Sequence, residues 1–328
     1  MTGPTVILGA GVAGLCVAHE LTRRGVATRL VDPAGGPGAH GCSWWAGGML
    51  APDCESETAE EPVTRLGREA ADWWEDAGVP VIRRGSLVVT LTRDRQELDR
   101  FARRTTRHDR ITGAGLAKLE PGLAGRFDRA LHFPGEAHLD PRLALATLRK
   151  TLAASGVDIA ADAPGTGTRI DCRGLAARDA LTDLRGVRGE MVVLRAPDVA
   201  LSRPVRLLHP RHPLYIVPRG DGVFMLGATQ LETGGQGPAT LRSVAELLNA
   251  AYALDPAFGE AEVLEIGADA RPAFPDNLPR IRRRGGTIHV NGLFRHGFLL
   301  APALARMVAD LVIEGQHPEV MDEDNGQR

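Results

Sequence analysis

A glycine-rich hexapeptide near the amino terminus has the residue types and spacing of a phosphate-binding turn. Its GxGxxG pattern is followed by an acidic residue at the end of the next predicted strand. The first glycine permits a tight turn, the second lets the backbone approach a pyrophosphate, and the third lets a helix pack closely on a strand. The N-terminus of that helix offers free N–H groups to phosphates, and the acid can accept hydrogen bonds from ribose hydroxyls. The predicted dinucleotide-binding residues here are Gly9, Gly11, Val12, Ala13, Gly14 and Asp32.

Hydrophobic periodicity around this motif predicts a βαβ unit. The run Thr5–Leu8 stops at a glycine as a buried strand does, residues 12–24 carry apolar side chains at helical spacing, and Ala27–Val31 predicts a second strand. A glycine-rich turn that binds no ligand is the alternative interpretation, but such a turn has no need of Asp32. The context therefore makes the motif a strong indication of dinucleotide binding.

The remaining elements are distributed unevenly along the chain. A β-rich stretch covers residues 189–228, with a hairpin turn at Arg219–Gly222, whereas α/β patterns return near residues 140 and 287. Two interleaved domains explain this order better than two consecutive ones. We also predict a helix over Thr64–Asp76 and a solvated turn at Ile281–Arg284.

Composition excludes several classes of partner. The chain has 328 residues, enough for two domains, with 43% hydrophobic and 24% charged residues and a formal net charge of -2. Proteins that bind nucleic acid or anionic membranes usually carry a basic excess, so neither partner is expected. The four cysteines show no CxxC spacing and predict no metal site. Neither a signal peptide nor a membrane span is predicted, and we expect a cytoplasmic protein.

The region after the βαβ unit favours FAD over a nicotinamide cofactor. A nicotinamide dehydrogenase normally continues at once with further βα units. Here a glycine-rich loop, residues 35–48, intervenes before the α/β pattern returns.

Five motifs together resemble the D-amino-acid oxidase superfamily of FAD enzymes, and most closely its glycine oxidase branch, which serves thiamine biosynthesis. They occur in the family's order, and the resemblance extends from residue 1 to about residue 315. The motifs are GAGVAGLCVAHEL from Gly9, SWWAGGMLAP at Ser43–Pro52, YIVPRGDGVFMLGAT at Tyr215–Thr229, RPAFPDNLP at Arg271–Pro279 and GLFRHGFLLAPALA at Gly292–Ala305.

The resemblance implies an α/β fold, α+β overall. A Rossmann-like FAD-binding domain would comprise residues 1–78, 137–185 and 262–328. An antiparallel-sheet substrate-binding domain, residues 79–136 and 186–261, would be inserted into it.

The resemblance also implies the reaction. FAD would oxidise the amine of a small amino acid such as glycine, sarcosine or D-alanine by accepting hydride from the α-carbon. The imine would be hydrolysed to the keto acid and ammonia, and O2 would reoxidise the flavin to give hydrogen peroxide.

Three catalytic candidates follow from the need to bind a substrate carboxylate. An arginine fork can bind both carboxylate oxygens, so Arg271 is the first choice and Arg295 the second, with Tyr215 donating its hydroxyl. A structural ion pair is the alternative for each arginine, and packing is the alternative for the tyrosine. The nearby His209 and His212 are left out, since the hydride mechanism needs no strong base if the amine binds neutral.

The same resemblance implies a second group of cofactor-binding residues. The segment after Ser43 would line the flavin, Gly174 would approach the phosphates, and a carboxyl-terminal helix opening at Gly297 would direct its positive end at the reduced flavin. The paired Trp44 and Trp45 would cover the cofactor or pack in a core. The implied residues are Ser43, Ala46, Gly47, Gly48, Met49, Gly174, Arg295, His296, Gly297, Phe298 and Leu299.

Two departures from the family pattern and several alternatives stay open. Asp32 stands where glutamate is usual in the family. The brief loop Ala160–Gly167 replaces a small β-meander, and this shortening is expected to alter domain packing or the contacts within a homo-oligomer. A dehydrogenase of the same fold that passes electrons to another carrier, a non-catalytic flavin-binding subunit and a tRNA-modifying oxidase domain are the alternatives. The retained residues that would bind a substrate carboxylate disfavour the non-catalytic subunit. The short length and the missing basic surface disfavour the tRNA-modifying domain.

Overall fold

The computed structural model describes residues 3–162, 167–209, 213–235 and 237–323. Part of the predicted loop Ala160–Gly167 and the whole of His212 lie outside these residues.

A seven-stranded sheet is built around the predicted βαβ unit. Strand β1 (Thr5–Leu8) pairs in parallel with β2 (Thr28–Val31) on one side and with β9 (Arg169–Asp171) on the other. Their carboxyl ends therefore meet at one edge, where Gly9 begins the glycine-rich turn. The other strands are β8 (Ile159–Ala160), β15 (Arg280–Arg284), β16 (Thr287–Asn291) and β17 (Met321–Glu323), in the order β17–β15–β16–β9–β1–β2–β8.

A second, eight-stranded sheet is antiparallel except where β4 and β11 run parallel. Its β12–β13 hairpin turns through Asp221 and Gly222, both with positive φ (50° and 70°), as a tight two-residue turn requires. Its strands are β4 (Ser86–Thr90), β5 (Asp109–Thr112), β6 (Arg129–Phe133), β10 (Arg185–Arg195), β11 (Val205–Leu208), β12 (Leu214–Gly220), β13 (Val223–Gly227) and β14 (Glu262–Ala273), in the order β14–β10–β13–β12–β11–β4–β6–β5. A separate ribbon pairs β3 (Met49–Leu50) with β7 (Ala137–His138).

Helices cover both sheets and fill the cores. Helix α1 (Val12–Arg23) packs on α9 (Gly297–Glu314) over the first sheet, where the fully buried Trp74 stacks on Phe298 with 5.6 Å between ring centroids. Burial of such aromatic rings contributes strongly to stability. The other helices are α2 (Pro52–Glu55), α3 (Glu61–Gly67), α4 (Ala70–Asp76), α5 (Arg95–Arg104), α6 (Gly113–Leu119), α7 (Pro141–Ala154) and α8 (Leu241–Leu254).

Two local predictions were wrong. The predicted helix Thr64–Asp76 is two helices, α3 and α4, and α3 ends at Gly67, where a side chain would strike Leu299 at 2.7 Å. The predicted turn Ile281–Arg284 is strand β15. Its Arg282 is buried because it stacks 4.4 Å from the Phe274 ring centre and forms ion pairs with two aspartates. Paired charges of this kind can be buried where lone ones cannot.

One change of sheet falls inside a segment that was predicted to lie in a single domain. Strand β14 pairs along β10 in the second sheet, whereas residues 262–328 were predicted to lie in the FAD-binding domain. The change of sheet therefore comes after Ala273. Among the described residues, no helix is both long and apolar enough to cross a membrane.

Candidate active site

A cavity of about 1360 Å³ is lined by residues from both sheets. Its walls include the N-termini of α1 and α9, the segment 41–49, and residues of β12 and β14. The volume exceeds the roughly 300–1,000 Å³ of an ordinary ligand pocket. There is therefore space for an extended cofactor together with a small substrate.

The glycine-rich turn forms one end of this cavity. Gly9 has φ +91°, and a side chain at Gly14 would lie 1.8 Å from the Gly9 carbonyl oxygen. Gly14 thus packs behind the turn and, unlike the other predicted dinucleotide-binding residues, does not line the cavity. Gly11 faces the cavity, where a side chain would meet only the Ser43 hydroxyl, at 3.3 Å.

Hydrogen-bond donors remain available at this end. The Val12 N–H donates to Ser43 Oγ at 3.1 Å, but the N–H groups of Ala13 and Gly14 have no acceptor among the described residues. Asp32 accepts from the N–H groups of Ala10 (2.8 Å) and Ala34 (2.9 Å), one on each carboxylate oxygen. Each oxygen keeps a further lone pair, so the site fits a phosphate and a hydroxyl-bearing ribose.

The N-terminus of α9 opens on the same cavity. His296 occupies the N-cap position and provides no side-chain cap, and Gly297, Phe298 and Leu299 line the wall. Their N–H groups have no acceptor among the residues that the structure describes. Two positive helix ends therefore face one ligand space. Gly174, with φ +58°, also lines it.

Two of the three predicted catalytic residues, Arg271 and Tyr215, lie at the cavity wall. Within the described part of the chain, Arg271 forms no ion pair, and its Nη1 donates to the Thr229 carbonyl at 3.4 Å. The Tyr215 ring packs over two glycines of the wall, Gly47 and Gly227. The charge of Arg271 is therefore available to an anionic ligand.

Arg295, the third candidate, is already paired. It lies 2.9 Å from Glu55 and donates to the Thr58 hydroxyl at 2.6 Å. The same carboxylate accepts from Arg206 of β11 and from His296 Nε2, the latter at 2.9 Å. This four-residue group, which we call the Glu55 cluster, links β11 of the second sheet to α2 and to the segment before α9, beside the cavity.

The electrostatics of the Glu55 cluster keep its carboxylate ionised. Burial alone would raise the pKa of Glu55, but Arg295 and Arg206 hold it well below its usual range. Burial lowers the pKa of His296, which favours a neutral ring beside the carboxylate. With two arginines against one carboxylate, the cluster carries a net positive charge that favours an anionic substrate.

Glu55 and Arg206 were not predicted from the sequence. Glu55 lies in an acidic stretch after the SWWAGGMLAP motif, which is typical of an exposed turn. Arg206 alternates with Val205 and Leu207, which are buried in the core of the second sheet. The period of two along a strand could have indicated that Arg206 lies on the opposite face.

The paired tryptophans Trp44 and Trp45 both line the cavity and both lie beside one arginine. The Arg142 guanidinium lies 4.5 Å from the Trp44 ring centre and 5.3 Å from that of Trp45. Trp45 also covers Gly267 of β14, where a side chain would be 2.2 Å from the indole. Trp45 thus packs against the second sheet while it lines the cavity.

A buried carboxyl group, Glu136, supports the helix that carries Glu55. It accepts from the Cys54 N–H at 2.6 Å and from the Ser86 hydroxyl. Burial raises the pKa of Glu136 from 4.5 to about 7, although Ser86 and Arg206 limit the rise.

Glu136 should make stability decrease as the pH rises. Between pH 4.5 and about 7 the folded protein keeps a proton that the unfolded chain has lost. The free energy of unfolding therefore falls across this window, by about 3 kcal/mol in total. Glu136→Gln keeps an oxygen that accepts from the Cys54 N–H, its amide group can donate to the Ser86 hydroxyl in place of accepting from it, and the titration is removed. Urea unfolding at pH 5 and pH 8 should show that the free energy of unfolding of the variant, relative to that of the wild type, is higher at pH 8 by about this amount. The same difference between the two proteins at both pH values would contradict the assignment.

Comparisons with known proteins identify close similarities along the whole chain. The family described as DAO, FAD dependent oxidoreductase, matches residues 5–311. The chain is 56% identical over 322 residues to a protein of Rhizobium etli named as a thiamine biosynthesis oxidoreductase, ThiO, covering 96% of this chain and 98% of that one. It is 26% identical over 357 residues to a glycine oxidase of Pseudomonas aeruginosa, covering 97% and 96%.

Solved structures share the fold. An iminodiacetate oxidase from Chelativorans sp. BNC1 has a TM-score of 0.81 at 24% identity, with 96% of each chain covered. A glycine oxidase from Geobacillus kaustophilus has a TM-score of 0.78 at 23% identity, with 97% of this chain and 96% of that one covered. These similarities confirm the predicted α/β fold class.

Proposed function

The chain belongs to the DAO family of FAD-dependent oxidoreductases, and from that premise we propose that it oxidatively deaminates glycine, or a similarly small amino acid, in the service of thiamine biosynthesis. FAD is its cofactor. The relatives named ThiO and glycine oxidase support the substrate and the pathway. The observation that carries the proposal is the guanidinium of Arg271, which lines the cavity with no ion-pair partner among the described residues.

The chain's own groups suit each part of the cofactor. We assign the phosphates to the turn at Gly9–Val12 and the N-terminus of α1, where free N–H groups and the helix dipole favour anions. Asp32 would take the ribose hydroxyls. The ring end would lie against residues 46–49 and the N-terminus of α9, whose positive dipole end favours the negative charge of a reduced ring.

The same walls would orient the substrate. When bound, FAD accepts a hydride from the substrate α-carbon. Arg271 binds both carboxylate oxygens through its fork, and Tyr215 donates its hydroxyl to the same group. Arg295, held by Glu55, adds positive charge nearby. The α-hydrogen leaves as hydride and the amine binds neutral, so no side chain has to act as a strong base on the carbon or on the nitrogen. Water then hydrolyses the imine to the keto acid and ammonia.

Anaerobic addition of glycine tests the proposal. The purified protein should be yellow, and glycine added without O2 should bleach the flavin absorbance, because the cofactor is reduced and not reoxidised. Sarcosine and D-alanine serve as comparison substrates, and buffer alone is the control. A protein that stays colourless and binds no added FAD, or a flavin that glycine leaves oxidised, would overturn it.

Dioxygen is the proposed final electron acceptor, in a cytoplasmic enzyme. After the anaerobic reaction, admitting air should restore the yellow colour and release one hydrogen peroxide for each turnover. Reoxidation that requires a quinone or another carrier would instead identify a dehydrogenase.

A further inference from the structure

Arg219, at the end of β12, holds three main-chain carbonyls of the other domain. Its Nη1 donates to the Leu139 oxygen at 2.7 Å, and its Nη2 donates to the oxygens of Ala46 (3.0 Å) and Gly47 (2.9 Å). Among the described residues it forms no ion pair with a carboxylate. Desolvation lowers the pKa of Arg219 to about 10, so the group is still charged at neutral pH.

These hydrogen bonds fix the direction of two peptide groups at the cavity wall. In a trans peptide the C=O of one residue points opposite to the N–H of the next. With the oxygens of Ala46 and Gly47 directed at Arg219, the N–H groups of Gly47 and Gly48 are directed away from it. Both glycines are buried and line the cavity.

Neither of these N–H groups has a protein acceptor in the part of the chain that the structure describes. Buried backbone donors without partners are rare in folded proteins, so the pair indicates an acceptor supplied by a ligand. The backbone conformation of the loop fixes the direction of these two N–H groups. Gly48 has φ +72°, and its carbonyl accepts from the Leu139 N–H at 2.9 Å. A side chain at Gly48 would strike the Leu139 oxygen at 2.2 Å.

We propose that Arg219 is a positioning residue that turns the N–H groups of Gly47 and Gly48 into the cavity as paired donors for the flavin ring, and thereby favours the reduced cofactor. Preorganised donors stabilise the more electron-rich form of a ligand more than the other form. The positive charge of Arg219, behind the loop that contains Gly47 and Gly48, also favours the reduced cofactor. The inference rests on the proposed binding of FAD in this cavity.

The test compares Arg219→Met with Arg203→Met as holoenzymes. Arg203 is the control because it precedes β11 of the same sheet, donates to the carbonyls of Arg84 and Leu119 and also to the Glu120 carboxylate, and does not line the cavity. Arg219→Met should bind reduced FAD about tenfold more weakly relative to oxidised FAD, which lowers the two-electron reduction potential by about 30 mV. The visible flavin spectrum should shift as well. Arg203→Met should lose stability and keep the wild-type potential and spectrum.

Arg219→Lys covers the case in which the methionine variant does not fold. Lysine keeps the charge but lacks the planar fork, so we expect a weaker shift in the same direction and an altered flavin spectrum. A wild-type potential and spectrum in either folded variant would overturn the inference. That result would leave the proposed function standing, whereas a wild-type protein that binds no FAD would refute the proposed function itself.

Discussion

Arg271→Ala should raise the KM for glycine by about 100-fold, or roughly 2.8 kcal/mol, while FAD stays bound. The substrate carboxylate would lose two charge-assisted hydrogen bonds. Among the described residues Arg271 forms no ion pair, although its charge helps to lower the pKa of Asp269, which burial raises. Steady-state kinetics and the flavin spectrum of the purified variant provide the measurement.

Arg271→Lys is the matched control for the geometry of this interaction. Lysine keeps the charge and loses the fork, so its KM should fall between those of the wild type and the alanine variant. An unchanged KM in Arg271→Ala would place the carboxylate elsewhere, and the Glu55 cluster with Arg295 would then be the next site to test.

Gly11→Ala should weaken FAD binding by about 100-fold, or roughly 2.8 kcal/mol, with little loss of stability in the cofactor-free protein. The added methyl group enters the space where the backbone must approach the pyrophosphate. In the protein itself it meets only the Ser43 hydroxyl, at 3.3 Å. Titration with FAD and thermal unfolding of the cofactor-free variant separate the two effects.

Two neighbouring substitutions serve as controls for Gly11→Ala. Gly14→Ala places a methyl group 1.8 Å from the Gly9 oxygen, so it should destabilise the cofactor-free protein by about 3 kcal/mol as well as abolish FAD binding. Ser43→Ala tests whether displacement of the serine explains the loss, and it should weaken FAD binding only about tenfold. Equal FAD affinities for Gly11→Ala and the wild type would refute the assignment of the phosphate site.

Local patterns predicted the parts of the fold that local sequence determines. The GxGxxG turn, the strands on either side of it and the two-residue hairpin after Arg219 depend on glycine conformation and on hydrophobic periodicity within a few residues. Strand β15 could not be predicted in this way. Its arginines are polar in the sequence, and they become part of a sheet because Phe274 and two aspartates from other segments pair with them.

In the candidate site, too, contacts between distant segments could not be predicted from local sequence. Family motifs predicted Arg271, Tyr215 and Arg295 as one group, and all three line the cavity. Within the Glu55 cluster, Glu55 and Arg206 escaped prediction because they come from separate parts of the chain and acquire their partners only in the folded protein. The role of Arg219 was not predicted for a different reason. Its acceptors are main-chain carbonyls, which every residue has, so no residue type in the sequence indicates them.

The two helix ends that face the cavity come from opposite ends of the chain: α1 begins at Val12 and α9 begins at Gly297. During synthesis the ribosome therefore releases the phosphate-binding turn long before the opposite wall of the same site. Between these events the nascent polypeptide can form much of the second sheet, but it has no closed compartment for a cofactor. Cofactor capture should thus follow, and not guide, the folding of the second sheet that lies between these two segments in the chain.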